Sequence, residues 1–218
     1  MNRHIHPALA VCSVCFIASF SPAADVPANT VDVTIEIYEL PQVSAYAIQK
    51  TFADGAGTER AGILRKLRSN PPPAGVKTIA NGHGPCTVGM KSVVAATKDY
   101  RYPTAWSLGA VAKPAGNGNM RSLGWSAELE LSAAGSAGMY DMAASIRSVR
   151  LDGSRHFRVS KGDAKGSVEV PYFDMERFNA DCRLVAGVTK LIGIYSPFTE
   201  GQPGNSLCVV FATVKSGR

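Results

Sequence analysis

The sequence has 218 residues, 45% hydrophobic and 18% charged, with a formal net charge of +6. This composition excludes an intrinsically disordered chain, which combines low hydrophobicity with high charge. Five cysteines are too few for a disulfide-dense scaffold, and the 21 glycines and 13 prolines favour a turn-rich β protein over a helical bundle.

Residues 1–23 have the composition of a secretory signal peptide. Arg3 precedes an apolar run over Ala8–Phe20, and Ser21-Pro22-Ala23 offers small residues for cleavage. The apolar run is shorter than the roughly 20 residues of a membrane span, which disfavours an anchor. Lipid attachment is the other alternative, at Cys12 or Cys15, but valine precedes both cysteines where such signals favour a small residue.

Cleavage near Ala24 would leave a short linker over residues 24–30 and one domain over residues 31–218. The exported chain would keep three cysteines, Cys86, Cys182 and Cys208. Because this number is odd, at least one thiol is expected to be free or to pair outside the chain.

The first part of the domain predicts a strand followed by two helices. Apolar and polar residues alternate over Val31–Leu40, which predicts a strand with one buried face, and Pro41 ends it. Ser44 is expected to cap a short helix that reaches Phe52. A second helix is predicted over Thr58–Arg68.

The rest of the chain predicts β structure with turns at Asn81–Pro85 and Leu151–Gly153 and a mobile Gly- and Pro-rich loop over Ala112–Asn119. Leu207–Val214 is a long apolar run interrupted only by Thr213, which favours a strand buried on both faces or at an interface. The fold class predicted is mainly β with one or two short helices (α+β). The predicted strands are Val76–Ala80, Ser92–Thr97, Leu123–Leu131, Tyr140–Arg150, Val168–Phe173, Asp181–Ala186, Val188–Tyr195 and Leu207–Val214.

His83 and Cys86 form the closest approach to a catalytic or metal-binding pair. A neighbouring histidine can activate a thiol as a nucleophile. Zinc, however, needs three or four ligands, and His156 is the only other histidine of the exported chain. We therefore expect a turn histidine beside a structural cysteine.

The paired carboxylates are expected to be solvated rather than catalytic. Glu128 and Glu130 alternate with apolar residues, so they share the polar face of a strand. Asp174, Glu176 and Asp181 are close in sequence without a motif. There is no nucleophile elbow or phosphate loop either, so no catalytic, cofactor or metal residue is predicted and the protein is expected to be non-enzymatic.

Two further features are expected to be structural. The densest basic group, Arg60 to Arg68, lies on a predicted helix and is interpreted as a solvated face, so no nucleic-acid partner is expected. A disulfide between Cys182 and Cys208 is disfavoured if the last strands form a simple meander, because a middle strand would then separate the two cysteines; a different strand order would permit it.

Taken in order, the strand motifs resemble the C-terminal domain of the bacterial secretins, the outer-membrane channel proteins of type II and type III secretion and of type IV pili. The matching segments are Val33–Glu39 followed by a helix from Ser44, Thr87–Val94 running to Tyr100–Thr104, Gly124–Leu131, Val170–Phe173, Gly187–Ile194 and Leu207–Val214. The chain departs from the pattern at Gly193, where the family has a glycine pair, and it is expected to be a stand-alone domain without the family's preceding periplasmic domains.

The resemblance implies a non-enzymatic component, or relative, of an outer-membrane secretion or pilus channel. It implies an antiparallel or mixed β-sheet domain, homo-oligomers formed by strand pairing, partners among secretion-system or envelope proteins, and a place in the periplasm or outer membrane. The alternative is a soluble periplasmic β-sandwich that binds a partner without forming a channel.

Overall fold

The computed structural model describes residues 29–107, 113–116, 118–161, 164–197 and 204–216. The predicted signal peptide, most of the linker, and residues 112 and 117 of the predicted loop lie outside these residues. The elements are β1 (Thr30–Pro41), α1 (Gln42–Asp54), α2 (Gly57–Leu67), β2 (Lys77–Thr87), β3 (Lys91–Tyr102), β4 (Ala105–Ser107), β5 (Lys113–Ala115), β6 (Asn119–Ala133), β7 (Met139–Lys161), β8 (Ala164–Val185), β9 (Lys190–Tyr195) and β10 (Ser206–Ser216).

Two four-stranded antiparallel sheets pack face to face. The first sheet has the strand order β2-β1-β10-β9, the second has the order β3-β6-β7-β8, and β4 pairs with β5 in a short ribbon. The predicted fold class, mainly β with short helices, is confirmed. The last strands do not form a simple meander, because β8 belongs to the second sheet and β9 to the first.

The first sheet is the middle layer of the molecule. Ile35 and Ile37 of β1 are fully buried against the second sheet, whereas Tyr38 and Leu40 are buried on the opposite face under the two helices. Strand β10 pairs with β1 along its whole length, and its residues from Cys208 to Val214 are all buried. The predicted two-sided burial of the last strand is therefore confirmed.

The helices begin and end close to their predicted positions, but the predicted cap is wrong. Helix α1 begins at Gln42, directly after Pro41, so Ser44 lies inside the first turn and does not cap it. The Gln42 amide instead donates to the Asn205 carbonyl at 2.9 Å. A tertiary contact thus satisfies a helix-end donor that a capping side chain usually serves.

The predicted turn at Asn81–Pro85 is instead the middle of β2. Pro85 is tolerated because β2 is an edge strand, where a missing amide hydrogen breaks no ladder. Gly82 is required for packing, because a Cβ there would lie 2.4 Å from the Trp125 ring of the second sheet. Glycine at this position therefore allows close approach of the two sheets.

The predicted turn at Leu151–Gly153 is a β-bulge within β7. The register with β8 shifts between Leu151 and Gly153, and Gly153 adopts a φ of +122°, which favours glycine. Both strands continue past the bulge, so the predicted strands Val168–Phe173 and Asp181–Ala186 are parts of one strand, β8, which ends one residue earlier, at Val185. The long hairpin that results was not predicted.

A buried carboxylate holds α2 to the first sheet. Glu36 is 2% exposed and accepts two bonds from Arg68, from Nε at 2.8 Å and from Nη2 at 2.5 Å. The Tyr38 hydroxyl donates to the same carboxylate at 3.0 Å. Burial and the Glu36 charge raise the pKa of Tyr38 to about 12, so the phenol stays protonated as a donor.

Replacing Arg68 is expected to destabilise the fold, because Glu36 would remain buried without its charged partner. We expect Arg68→Ala to lower the free energy of unfolding by about 2 kcal/mol in urea denaturation. The loss is smaller than for a fully buried ion pair, because the Arg68 side chain is itself partly exposed. Arg65→Ala, at an exposed position of the same helix, is the control and should change it by less than about 0.5 kcal/mol. Equal effects of the two substitutions would contradict this role for the Glu36–Arg68 pair.

Candidate assembly surface

The histidine and cysteine considered as a catalytic pair lie on opposite faces of β2. Cys86 is fully buried between the sheets opposite Val31, whereas His83 is exposed. Burial raises the pKa of the Cys86 thiol, which disfavours the nucleophilic thiolate. The structure does not bring the two groups together.

The carboxylates are also dispersed. Glu128 and Glu130 share the exposed face of the second sheet, as predicted, and Glu128 pairs with Lys91 at 2.5 Å. The prediction of solvated carboxylates is wrong for Asp174, which is 7% exposed, and for Glu176, which pairs with Arg150 at 2.7 Å, whereas Asp181 is exposed on the other face of β8. Among the described residues there is no group of three or more side chains that could hold a metal ion.

Cys86, Cys182 and Cys208 are all free thiols. Cys182 and Cys208 lie on strands of different sheets, β8 and β10. Burial raises the pKa of Cys208 to about 11, and burial also raises the pKa values of Cys182 and of Tyr195, which neighbours Cys208. These groups are expected to be protonated and structural at neutral pH.

Two β-hairpin arms continue the second sheet beyond the point where its middle strands separate. Strands β6 and β7 pair only as far as Gly124 and Val149. Beyond that pair, β3 and β6 form one arm (residues 97–102 and 119–124), and β7 and β8 form the other (residues 151–161 and 164–173). At about 3.3 Å per residue, Gly153–Lys161 alone spans about 30 Å.

In the arm formed by β7 and β8, the β7 strand has little protein packed around it. Every residue from Leu151 to Arg158 is exposed, including the apolar side chains of Leu151 (40%) and Phe157 (50%). Cross-strand contacts hold the ribbon together, with Ser154 donating to Glu169 and the Arg155 guanidinium 4.4 Å from the centre of the Tyr172 ring. The β8 strand is less exposed, with Val168 at 6%, but a two-stranded ribbon is only marginally stable in water by itself.

An aromatic cluster joins the two arms. The Phe173 ring of β8 lies 5.9 Å from that of Tyr100 and 5.1 Å from that of Tyr102, both on β3. The Arg121 guanidinium of β6 lies 4.9 Å from the centre of the same Phe173 ring. Such ring and cation–π contacts contribute about 0.5–1.5 kcal/mol each, so the arms are held side by side.

The outer face of the second sheet is polar. Besides the Lys91–Glu128 pair, Arg183 makes two bonds to Asp141, at 2.8 and 3.1 Å. Arg177 donates to Ser145 at 3.2 Å. This face is suited to contact with water.

None of the helices in the described part of the chain is both long and apolar enough to cross a membrane.

The sequence was compared with family models and with curated proteins. No family model matches this chain, and no curated protein is detectably similar to it. The features that bear on function are therefore the geometry of the arms and of the sheet edges, together with the resemblance in motif order.

Thiol modification tests the placement of the cysteines. At pH 8 in native buffer we expect iodoacetamide to modify Cys182 first, because Cys182 is half-buried whereas Cys86 and Cys208 are buried. The reaction should be slow, because only the thiolate reacts and burial raises the pKa values of all three thiols. Cys86 and Cys208 should react only in urea. Peptide mass spectrometry identifies the sites, and a Cys182–Cys208 disulfide or fast native modification of Cys86 would contradict the structure.

Proposed function

We propose that this chain is a non-enzymatic, exported protein of the secretin type, a component or relative of an outer-membrane secretion or pilus channel. The observation that carries the proposal is the pair of projecting arms. A lone ribbon gains little from folding in water, whereas a ribbon that pairs with a neighbouring copy satisfies its edges and covers its apolar side chains.

The strand directions of the second sheet allow such pairing to continue from copy to copy. The two edge strands, β3 and β8, are connected by three antiparallel pairings, β3 with β6, β6 with β7 and β7 with β8. Because each pairing reverses the strand direction, β3 and β8 run in opposite directions. The β3 edge of an identically oriented copy would therefore meet β8 antiparallel, as neighbours within the sheet do. This contact is head-to-tail, and copies related by rotation would close into a ring.

The charge pattern agrees with a ring around an aqueous space. The outer face of the second sheet carries ion pairs, whereas the outer face of the first sheet is covered by helices. In a ring joined through β3 and β8, the polar face would contact water. The proposed partners are further copies and other secretion-system or envelope proteins, in the periplasm or at the outer membrane.

Substitution of the exposed apolar residues of the arm tests the proposal. The full chain is expressed with its signal, cells are fractionated, and the unheated protein is sized. We expect a large oligomer in the outer-membrane fraction. Leu151→Lys combined with Phe157→Lys should reduce the oligomer to monomer, because both side chains lie on β7, next to the β8 edge that a neighbouring copy would extend, and charges there oppose covering of the arm.

Val43→Lys is the matched control, because Val43 is 82% exposed but lies on α1, away from the arms. This variant should still form the oligomer. Circular dichroism of all variants separates loss of assembly from loss of fold. A wild-type chain that is monomeric and periplasmic would overturn the channel proposal and favour the alternative of a soluble binding module.

A further inference from the structure

We propose that the edge of β9 binds an acidic, extended peptide segment of a partner protein, which adds as a fifth strand to the first sheet. A groove of about 470 Å³ runs beside this edge. Its apolar floor and rim are formed by Phe52, Val185, Val188, Leu191 and Ile194. The volume is within the range of ordinary ligand sites. This inference goes beyond the proposed channel function and does not depend on it.

The groove follows the strand along its edge. Five consecutive residues of β9, Lys190 to Ile194, line it. Because alternate residues of a strand point to opposite faces, a groove that touches consecutive residues meets the backbone edge-on. Strand β9 ends the first sheet, and within the described ranges no other strand pairs with its outward side.

The sandwich side of β9 is closed, so a peptide can approach only from outside. The Phe178 ring of β8 packs against Gly193, where a Cβ would lie 2.1 Å from the ring, and stacks on Tyr195 with ring centres 5.5 Å apart. Ile192 has no partner on β10 and forms a bulge. A bulge makes it less favourable for any extended chain to pair with this sheet edge, so side-chain contacts must determine which strand is added.

Charge at the groove indicates an acidic partner. The lining includes Arg60, Arg183 and Lys190 but no carboxylate. Arg183 is neutralised by Asp141, whereas no carboxylate of the described residues lies within 4.0 Å of the charged nitrogens of Arg60 or Lys190. Two cations beside an apolar floor match a strand that alternates apolar and acidic side chains.

The position of Arg60 is fixed by its neighbours. Its Nε donates to the Thr51 carbonyl at 3.4 Å, and its guanidinium lies 6.0 Å from the centre of the Phe52 ring. Phe52 in turn packs on Phe211 of β10, with ring centres 5.1 Å apart. The cation is thus held over the end of α1, at the mouth of the groove, before any partner arrives.

A labelled hexapeptide of alternating valine and glutamate, matched to the six residues of β9, is the probe. Fluorescence anisotropy with the folded chain should show binding. Arg60→Glu combined with Lys190→Glu should weaken that binding by at least about tenfold. Lys50→Glu combined with Arg65→Glu makes the same charge change on the two helices outside the groove, and should leave binding unchanged.

Two further probes separate strand addition from simple charge attraction. A valine–lysine hexapeptide should not bind. The valine–glutamate peptide with alternate backbone amides N-methylated should also lose binding, because those amides can no longer donate the hydrogen bonds that pair it with β9. Equal binding of the lysine peptide, or equal weakening by the control pair, would overturn the proposal. If instead no peptide binds and the Arg60–Lys190 variant dissociates an oligomer, the groove is a contact between copies, which also overturns it.

Discussion

The pairing of β1 with β10 is the interaction on which the rest of the structure depends. These strands come from opposite ends of the domain and pair over eleven residues, from Val31 opposite Ser216 to Pro41 opposite Ser206. Each is buried on both faces, one against the second sheet and one against the helices. The pair therefore aligns both hydrophobic clusters and fixes where β2 and β9 can lie.

This central layer explains the placement of the polar groups. Glu36 is buried because it lies on the same face of β1 as Tyr38, which the helices cover, and Arg68 reaches it from the end of α2. The same layer leaves the second sheet with one free face, which is charged. Some of the apolar side chains that remain exposed lie on the arms, at Met120, Leu151 and Phe157, and two more lie beside β9, at Val185 and Val188.

The sequence predicted the elements whose patterns are local. Alternation identified β1, the apolar run at the end identified β10, and the second helix was placed within one residue. It missed features that depend on contacts between sheets. Asn81–Pro85 has the composition of a turn, yet Gly82 is there to admit Trp125. Leu151–Gly153 has the same appearance, and only pairing with β8 makes it a bulge.

The central functional claim is that the arms are completed by neighbouring copies, and amide hydrogen exchange of the assembled protein measures this directly. If copies pair through β3 and β8, peptides covering 151–161 and 164–173 will be protected on the time scale of the buried strand β1. If these peptides exchange fully at the shortest labelling time while β1 stays protected, the arms are solvated ribbons and the account of assembly is wrong.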